Sequence, residues 1–302
     1  MIFETAGVTL PVWLPILWGV LVGLVFSTVG AAGGILASVG LISVMGVLDP
    51  NLVKPMAQTL TLVTPLVAVP GYYRQRRVVV SLAVILGAGG ILGAIIGSTL
   101  SVTYLADLKT FRPVFGVLVL AIALQIIWRL FRYSRNSGTR AERAAAAFEG
   151  LVHDGGAPSA IGVKHLRYLF RCISFEFGGE RFSYQPWVPF LTGAGIAVVS
   201  SALGVGGGFL LVPFMTMLLG LPMFIVAGTA ALAIAVSSVT SIANYMRLGI
   251  ELDIPLLLLL LAGTIVGAWV GPRLSRYLQE RWLQGILGLV LLLIGLRYLR
   301  VF

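Results

Sequence analysis

Eight long stretches of this chain, residues 11–47, 52–73, 78–105, 111–130, 188–221, 223–245, 254–270 and 282–301, are almost free of charge. About 20 apolar residues span the hydrocarbon of a bilayer as a helix. Lipid offers no partner to a backbone N–H or C=O, so an apolar run of this length has to satisfy its own peptide groups and becomes helical. Composition agrees: 58% of the 302 residues are hydrophobic and 11% are charged, against about a quarter charged in soluble domains. The chain reads as an all-α polytopic membrane protein. Residues 1–11 carry no positive segment ahead of a short apolar core, so no cleavable signal peptide is expected.

One apolar stretch contains a contradiction. It holds Ser200, Ser201, Ala202, Leu203, Gly204, Val205, Gly206, Gly207, Gly208 and Phe209, with four glycines in five positions. Glycine loses more backbone entropy than any other residue and exposes peptide groups, so the helix is expected to break there. At membrane depth a break is tolerated only where protein or water meets the freed groups. A helix restarting at Phe209 would turn its first free N–H groups toward that space, and helix N-termini hold anions without a charged side chain.

The break has a counterpart. A shift of 174 residues matches Ser27, Gly30, Gly33 and Gly34 with Ser201, Gly204, Gly207 and Gly208, and it matches Gly89, Gly93, Gly97, Leu100 and Ser101 with Gly263, Gly267, Gly271, Leu274 and Ser275. A shift of 172 pairs Pro50 with Pro222, Tyr73 with Tyr245 and Gly116 with Gly288. The chain therefore divides into a first membrane repeat (11–132), an insert (133–186) and a second membrane repeat (187–302). Each repeat is a glycine-broken helix plus three transmembrane helices, and the two are pseudo-symmetric. Internal repeats with paired broken helices mark transporters whose substrate site lies between the halves near the midplane. The glycines spaced by four, Gly89-Gly93-Gly97 and Gly263-Gly267-Gly271, make smooth stripes suited to helix packing.

The insert holds Arg135, Arg140, Arg143, Lys164, Arg167, Arg171 and Arg181 against five acids. A short helix is expected over 141–152, a break over 155–158, and an aromatic, basic stretch over 166–177 lying on the membrane surface as an interfacial helix. The net charge of +10 reports topology rather than nucleic-acid binding, because the basic residues sit at segment ends and in the insert. Two topologies place 15 of the 21 Lys and Arg on one side. In one, each broken helix crosses once. In the other each is a re-entrant hairpin, the repeats are inverted and both termini lie outside. Segment 188–220, about 50 Å long as a continuous helix, favours the hairpin. Both topologies put the insert in the cytoplasm.

The spans contain no Asp or Glu. This argues against a cation carrier, against a proton path through a buried acid and against acid–base catalysis. No metal, elbow or phosphate-loop motif is present, and one cysteine with two histidines makes neither a disulfide nor a metal site. Neither an enzyme nor a cofactor is expected. The deep polar groups are hydroxyls and amides, and neutral donors suit an anion that must also leave. The candidate substrate site is Ser27, Thr28, Gly30, Gly33, Gly34, Gln58 and Thr59 in the first repeat with Ser200, Ser201, Gly204, Gly206, Gly207, Gly208 and Thr229 in the second. Lys54, Tyr72, Tyr73 and Tyr245 read as interface anchors.

Ser200-Ser-x-x-Gly-x-Gly-Gly-Gly-Phe-x-x-Val-Pro213, followed by Ala227-Gly-Thr-Ala230 and Tyr245-Met-Arg-Leu-Gly249, resembles the TauE/SafE sulfite-exporter-type permeases. The resemblance covers both repeats and leaves out the insert. It implies transport of small sulfur-containing or carboxylate anions across a bacterial inner membrane, mostly outward. Many members of that family carry histidine where this chain has Tyr72 and Tyr245, and the first glycine motif here lacks two glycines and the proline. The expectation is an alternating-access secondary transporter of sulfite or an organosulfur anion, with the lipid bilayer and the anion as its partners. An anion channel using the breaks as a filter, or a membrane scaffold recruiting a partner through the insert, are the alternatives. The coupling ion, proton or sodium, and a homo-oligomeric state stay open.

Overall fold

The computed structural model describes residues 1–29, 33–132, 140–153, 162–169, 172–274 and 280–299, and of Ser27 and Thr28 only the backbone. A short hairpin, β1 (Ile2–Phe3) and β2 (Val8–Thr9), precedes the first repeat. That repeat comprises α1 (Trp13–Val29), α2 (Gly33–Val39), α3 (Pro50–Arg74), α4 (Val80–Tyr104) and α5 (Leu108–Arg132). The second comprises α7 (Trp187–Leu203), α8 (Gly208–Pro213), α9 (Met223–Arg247), α10 (Ile254–Leu274) and α11 (Glu280–Leu299). Residues 80–104, 108–128 and 223–247 form helices long and apolar enough to cross a membrane by themselves. The all-α polytopic architecture expected from the apolar stretches is the one found.

The repeat reaches into fine geometry. α2 runs on into a π-helical turn at Gly40–Val44 and α8 into one at Phe214–Leu218, positions again related by 174 residues. α2 also folds back along α1. Trp18 Nε1 donates to Leu36 O at 3.0 Å, and a Cβ added at Gly33 or Gly40 would run into the Phe26 or Trp18 ring. The first broken helix is therefore a hairpin. In the second repeat, α7 begins directly after the insert, and α9 begins beside it, where Phe224 packs on Phe148 with ring centroids 4.8 Å apart. The α7–α8 unit thus enters and leaves on the insert side, whereas Tyr298 near the end of α11 bonds Ser43, just past α2, at 2.5 Å.

The repeats pack crosswise: α1 lies on α10, α7 on α4, and α3 meets α9 as α5 meets α11. The glycine stripes make the crossed contacts. A Cβ at Gly89, Gly93 or Gly97 would collide with the carbonyl oxygen of Phe190, Ala194 or Val198, and one at Gly263 or Gly267 with that of Ile16 or Val20. Backbones touch here without intervening side chains, which is how small residues let membrane helices approach.

The insert departs from expectation. Its helix, α6 (Arg140–His153), is present, but the stretch expected as a surface helix forms strands β3 (Lys164–Leu169) and β4 (Cys172–Phe177), joined by β5 (Glu180–Tyr184) in a three-stranded antiparallel sheet. The reason is a period of two: in β4, Ile173, Phe175 and Phe177 point inward while the residues between them do not. The expected break at 155–158 lies outside the described residues. The sheet and α6 dock on the turn between α3 and α4 and on the start of α9. Val163 N donates to Arg76 O at 2.8 Å and Ser81 bonds Tyr184 at 2.8 Å. The Arg77 guanidinium lies 5.0, 5.6 and 5.2 Å from the ring centroids of Tyr72, Phe148 and Phe224.

Candidate functional site

α7 stops because Gly204 and Gly206 adopt left-handed backbone, with φ of +72° and +68°. A helix that stops leaves its last carbonyls short of partners; Ser200 O still accepts from Val205 N at 3.1 Å, and three other helices add donors. Gln58 Nε2 of α3 donates to Ser200 O at 3.2 Å, Tyr245 OH of α9 to Ser201 O at 2.7 Å, and Ser101 Oγ of α4 to Ala202 O at 2.7 Å. This meets the requirement that irregular backbone at depth be covered by protein. The chain then turns at Gly207, and α8 begins with Leu211 N donating to Gly207 O at 3.0 Å.

α3 follows the break along its length. Gly204 rests on the backbone of Lys54, Ser200 is bonded by Gln58, and Gly206 rests on Thr61. Residues 54, 58 and 61 stand at i, i+4 and i+7, one face of the helix. The first break arrives at the same place: a Cβ at Gly34 would collide with the Val205 carbonyl and meet Thr61 Cγ2 at 2.9 Å. The two glycine breaks therefore touch each other beside Thr61, near the middle of the 25-residue α3.

Among the expected site residues, Gly34, Gln58, Ser200, Ser201, Gly204, Gly206, Gly207 and Gly208 come together here. Gly33 lies against the Phe26 ring, Ser27 and Thr28 end α1, and Gly30 is outside the described residues. Ser200 Oγ turns back to Ala197 O at 3.4 Å. Thr59 and Thr229 have other work: Thr59 Oγ1 donates to Pro55 O of its own helix at 2.8 Å, and Thr229 Oγ1 accepts from Val79 N at 3.0 Å, capping α4.

Lys54 and Tyr245 are not interface anchors, because both are fully buried. Lys54 Nζ donates to Asn51 Oδ1 at 3.1 Å and Leu105 O at 2.7 Å, 5.0 Å from the Phe111 ring centroid. Tyr73, at 64% exposure, keeps the anchor position. Thr61 and Ser101 stand beside the breaks but are absent from the expected site. The signal was available in the repeat itself: the positions matching Lys54, Gln58 and Thr61 by the 172-residue shift are Val226, Ala230 and Ala233. At these three positions the polar residues belong to α3, and α9 is apolar there.

A family profile described as "Sulfite exporter TauE/SafE" matches residues 15–298. The chain belongs to the TauE/SafE sulfite exporter family. Its similarity to single proteins covers nearly the whole chain. It is 23% identical over 287 residues to a probable membrane transporter protein, YunE, of Bacillus subtilis, covering 92% of this chain and 93% of that one. A probable membrane transporter protein of Xylella fastidiosa is 25% identical over 280 residues, covering 92% and 91%. No solved structure matches the chain. Membership in the TauE/SafE family makes this a membrane transporter, in keeping with its fold.

Proposed function

We propose that this protein is a secondary transporter exporting a small anion, sulfite or an organosulfur anion, across the inner membrane by alternating access, with its insert in the cytoplasm. The observation that carries the reading is the meeting of the two glycine breaks beside Thr61, halfway along α3. Paired breaks at the repeat interface are where transporters of this construction hold substrate. The glycine backbone amides and the polar face of α3 offer donors, and no carboxylate stands in the described spans to repel an anion.

Contact between the breaks favours a carrier over a channel filter, since a substrate seated between them has to part Gly34 from Val205. The family name points to sulfite, and the relatives' names to transport alone. The test is uptake of labelled sulfite and sulfoacetate into proteoliposomes with and without imposed pH or sodium gradients. Gly207→Leu serves as the control, since a Cβ at Gly207 meets only ordinary contacts. Saturable flux, stimulated by substrate on the far side and lost in the variant, is the expected result. Flux growing linearly with concentration would return the protein to the channel class.

A further inference from the structure

The inference rests on the transporter reading above and concerns which anion the site selects. Gln58 is 1% exposed. Its amide has no freedom of assignment: Ser200 O only accepts, so the amide nitrogen must face it, as it does at 3.2 Å. That fixes Oε1 on the other side of the same amide, where it is buried with no donor among the described residues. A buried acceptor left without a donor carries its full desolvation penalty, and native interiors hold few.

The hydroxyls around the break do not relieve it. Thr61 Oγ1 donates to the Gln58 backbone carbonyl at 2.8 Å, while Tyr245 and Ser101 donate to Ser201 O and Ala202 O. Nor does the helix scheme require this oxygen, because the second repeat has Ala230 at the matching position.

We propose that Gln58 Oε1 accepts a hydrogen bond from the transported anion itself, so that the carried species is a small oxyanion bearing its own O–H or N–H donor. The glycine amides attract any anion. Oε1 distinguishes among them: it repels an oxyanion whose outer atoms are all acceptors, such as the sulfite dianion, and holds one that presents a proton, such as the hydrogen sulfite in equilibrium with it. Gln58 is then a specificity-determining residue as well as a cap on α7.

The test uses the full chain in proteoliposomes and competition against labelled sulfite by two sulfonates of equal charge and near-equal length. Isethionate ends in a hydroxyl and 1-propanesulfonate in a methyl. Isethionate should compete at a concentration about tenfold lower, the worth of one buried hydrogen bond. Two variants separate recognition from capping: Gln58→Met removes both functions, whereas Gln58→Lys keeps a donor for Ser200 O and has no acceptor. Both should bring the ratio of the two sulfonates to near one, whatever they do to overall flux. Equal competition in the unaltered protein, as a resident water on Oε1 would give, overturns the proposal and leaves the transporter reading intact. A ratio that survives in both variants places discrimination elsewhere and also overturns it. Absence of saturable sulfite flux in the unaltered protein removes the transporter reading and this inference together.

Discussion

Replacing each glycine of the second break with alanine asks a graded question of the same loop. At Gly204 the backbone sits at φ +72°, and the new Cβ would stand 2.5 Å from Lys54 Cα. The left-handed conformation costs a residue with a Cβ about 1–2 kcal/mol. Forcing two packed backbones apart adds about 1–3 kcal/mol, so Gly204→Ala should lose about 2–5 kcal/mol. Gly206, at φ +68°, faces Thr61 Oγ1 at 3.0 Å. That is a side-chain atom able to turn, which leaves mainly the conformational cost of about 1–2 kcal/mol. Gly207 has an ordinary φ of −74°, and its Cβ would meet Ile196, Leu211 and Ser200 atoms at 3.4–3.7 Å. There alanine fits and restricts the unfolded chain, giving a gain of up to about 1 kcal/mol. Thermal melts in detergent, at about 2–4 °C per kcal/mol, should rank the variants 204 lowest, then 206, with 207 at or above the unaltered protein. Sulfite flux should fall in all three, since even a methyl that fits at Gly207 stiffens the backbone of the break that alternating access has to move. Equal melting of the 204 and 207 variants would refute the backbone argument, and unchanged flux in the 207 variant would detach the break from transport.

Tyr245→Phe and Ser101→Ala each uncap one carbonyl at the end of α7 and should each lower stability by about 1–3 kcal/mol. Measured singly and together in melts, they should depart from additivity, because Tyr245 and Ser101 bond each other as well as adjacent carbonyls of α7. Gly93→Val should impair folding more than Gly195→Val, since nothing lies within 4 Å of a Cβ at Gly195; the yield of monodisperse protein reads the difference. Arg77→Met removes the cation from three aromatic rings, contacts worth about 0.5–1 kcal/mol each at exposed sites. It should make the insert cleavable by trypsin at lower enzyme concentration while the membrane part stays intact. With Cys172 replaced, a cysteine at Thr5 should react with an impermeant maleimide from outside intact cells, and one at Glu142 only after permeabilisation. The reverse pattern would invert the topology.

Much of this architecture is legible in the apolar runs and the repeat, because bilayer thickness fixes helix length and glycine fixes where a helix fails. The tie over topology was not resolvable from charge, since Arg273, Arg276 and Arg281 on one side balance Arg247, Arg297 and Arg300 on the other. It is broken by contacts between residues far apart on α1 and α2, such as Trp18 with Leu36. The insert was misread because a basic, aromatic run suggests a surface helix, whereas the alternation of Ile173, Phe175 and Phe177 carries the strand signal in only six residues. Tyr245 and Lys54 looked like anchors because aromatic and cationic residues near span ends usually are. Their burial depends on where the partner helix terminates, which no local pattern encodes. Thr229 was expected to serve substrate because of its place in the repeat, whereas the Val79 N–H it accepts lies 150 residues away in sequence.

The crosswise packing also governs the order of assembly. Gly19 and Gly23 on α1 find their cover only on α10, more than 230 residues later, while α7 finds Gly89 and Gly93 already waiting on α4. During synthesis the second broken helix can therefore dock as soon as it enters the bilayer, but the first must wait until nearly the whole chain has emerged. Neither repeat is a self-sufficient half. Each seals the other, as two copies of a smaller ancestor would have done across a dimer interface before they were joined in one polypeptide.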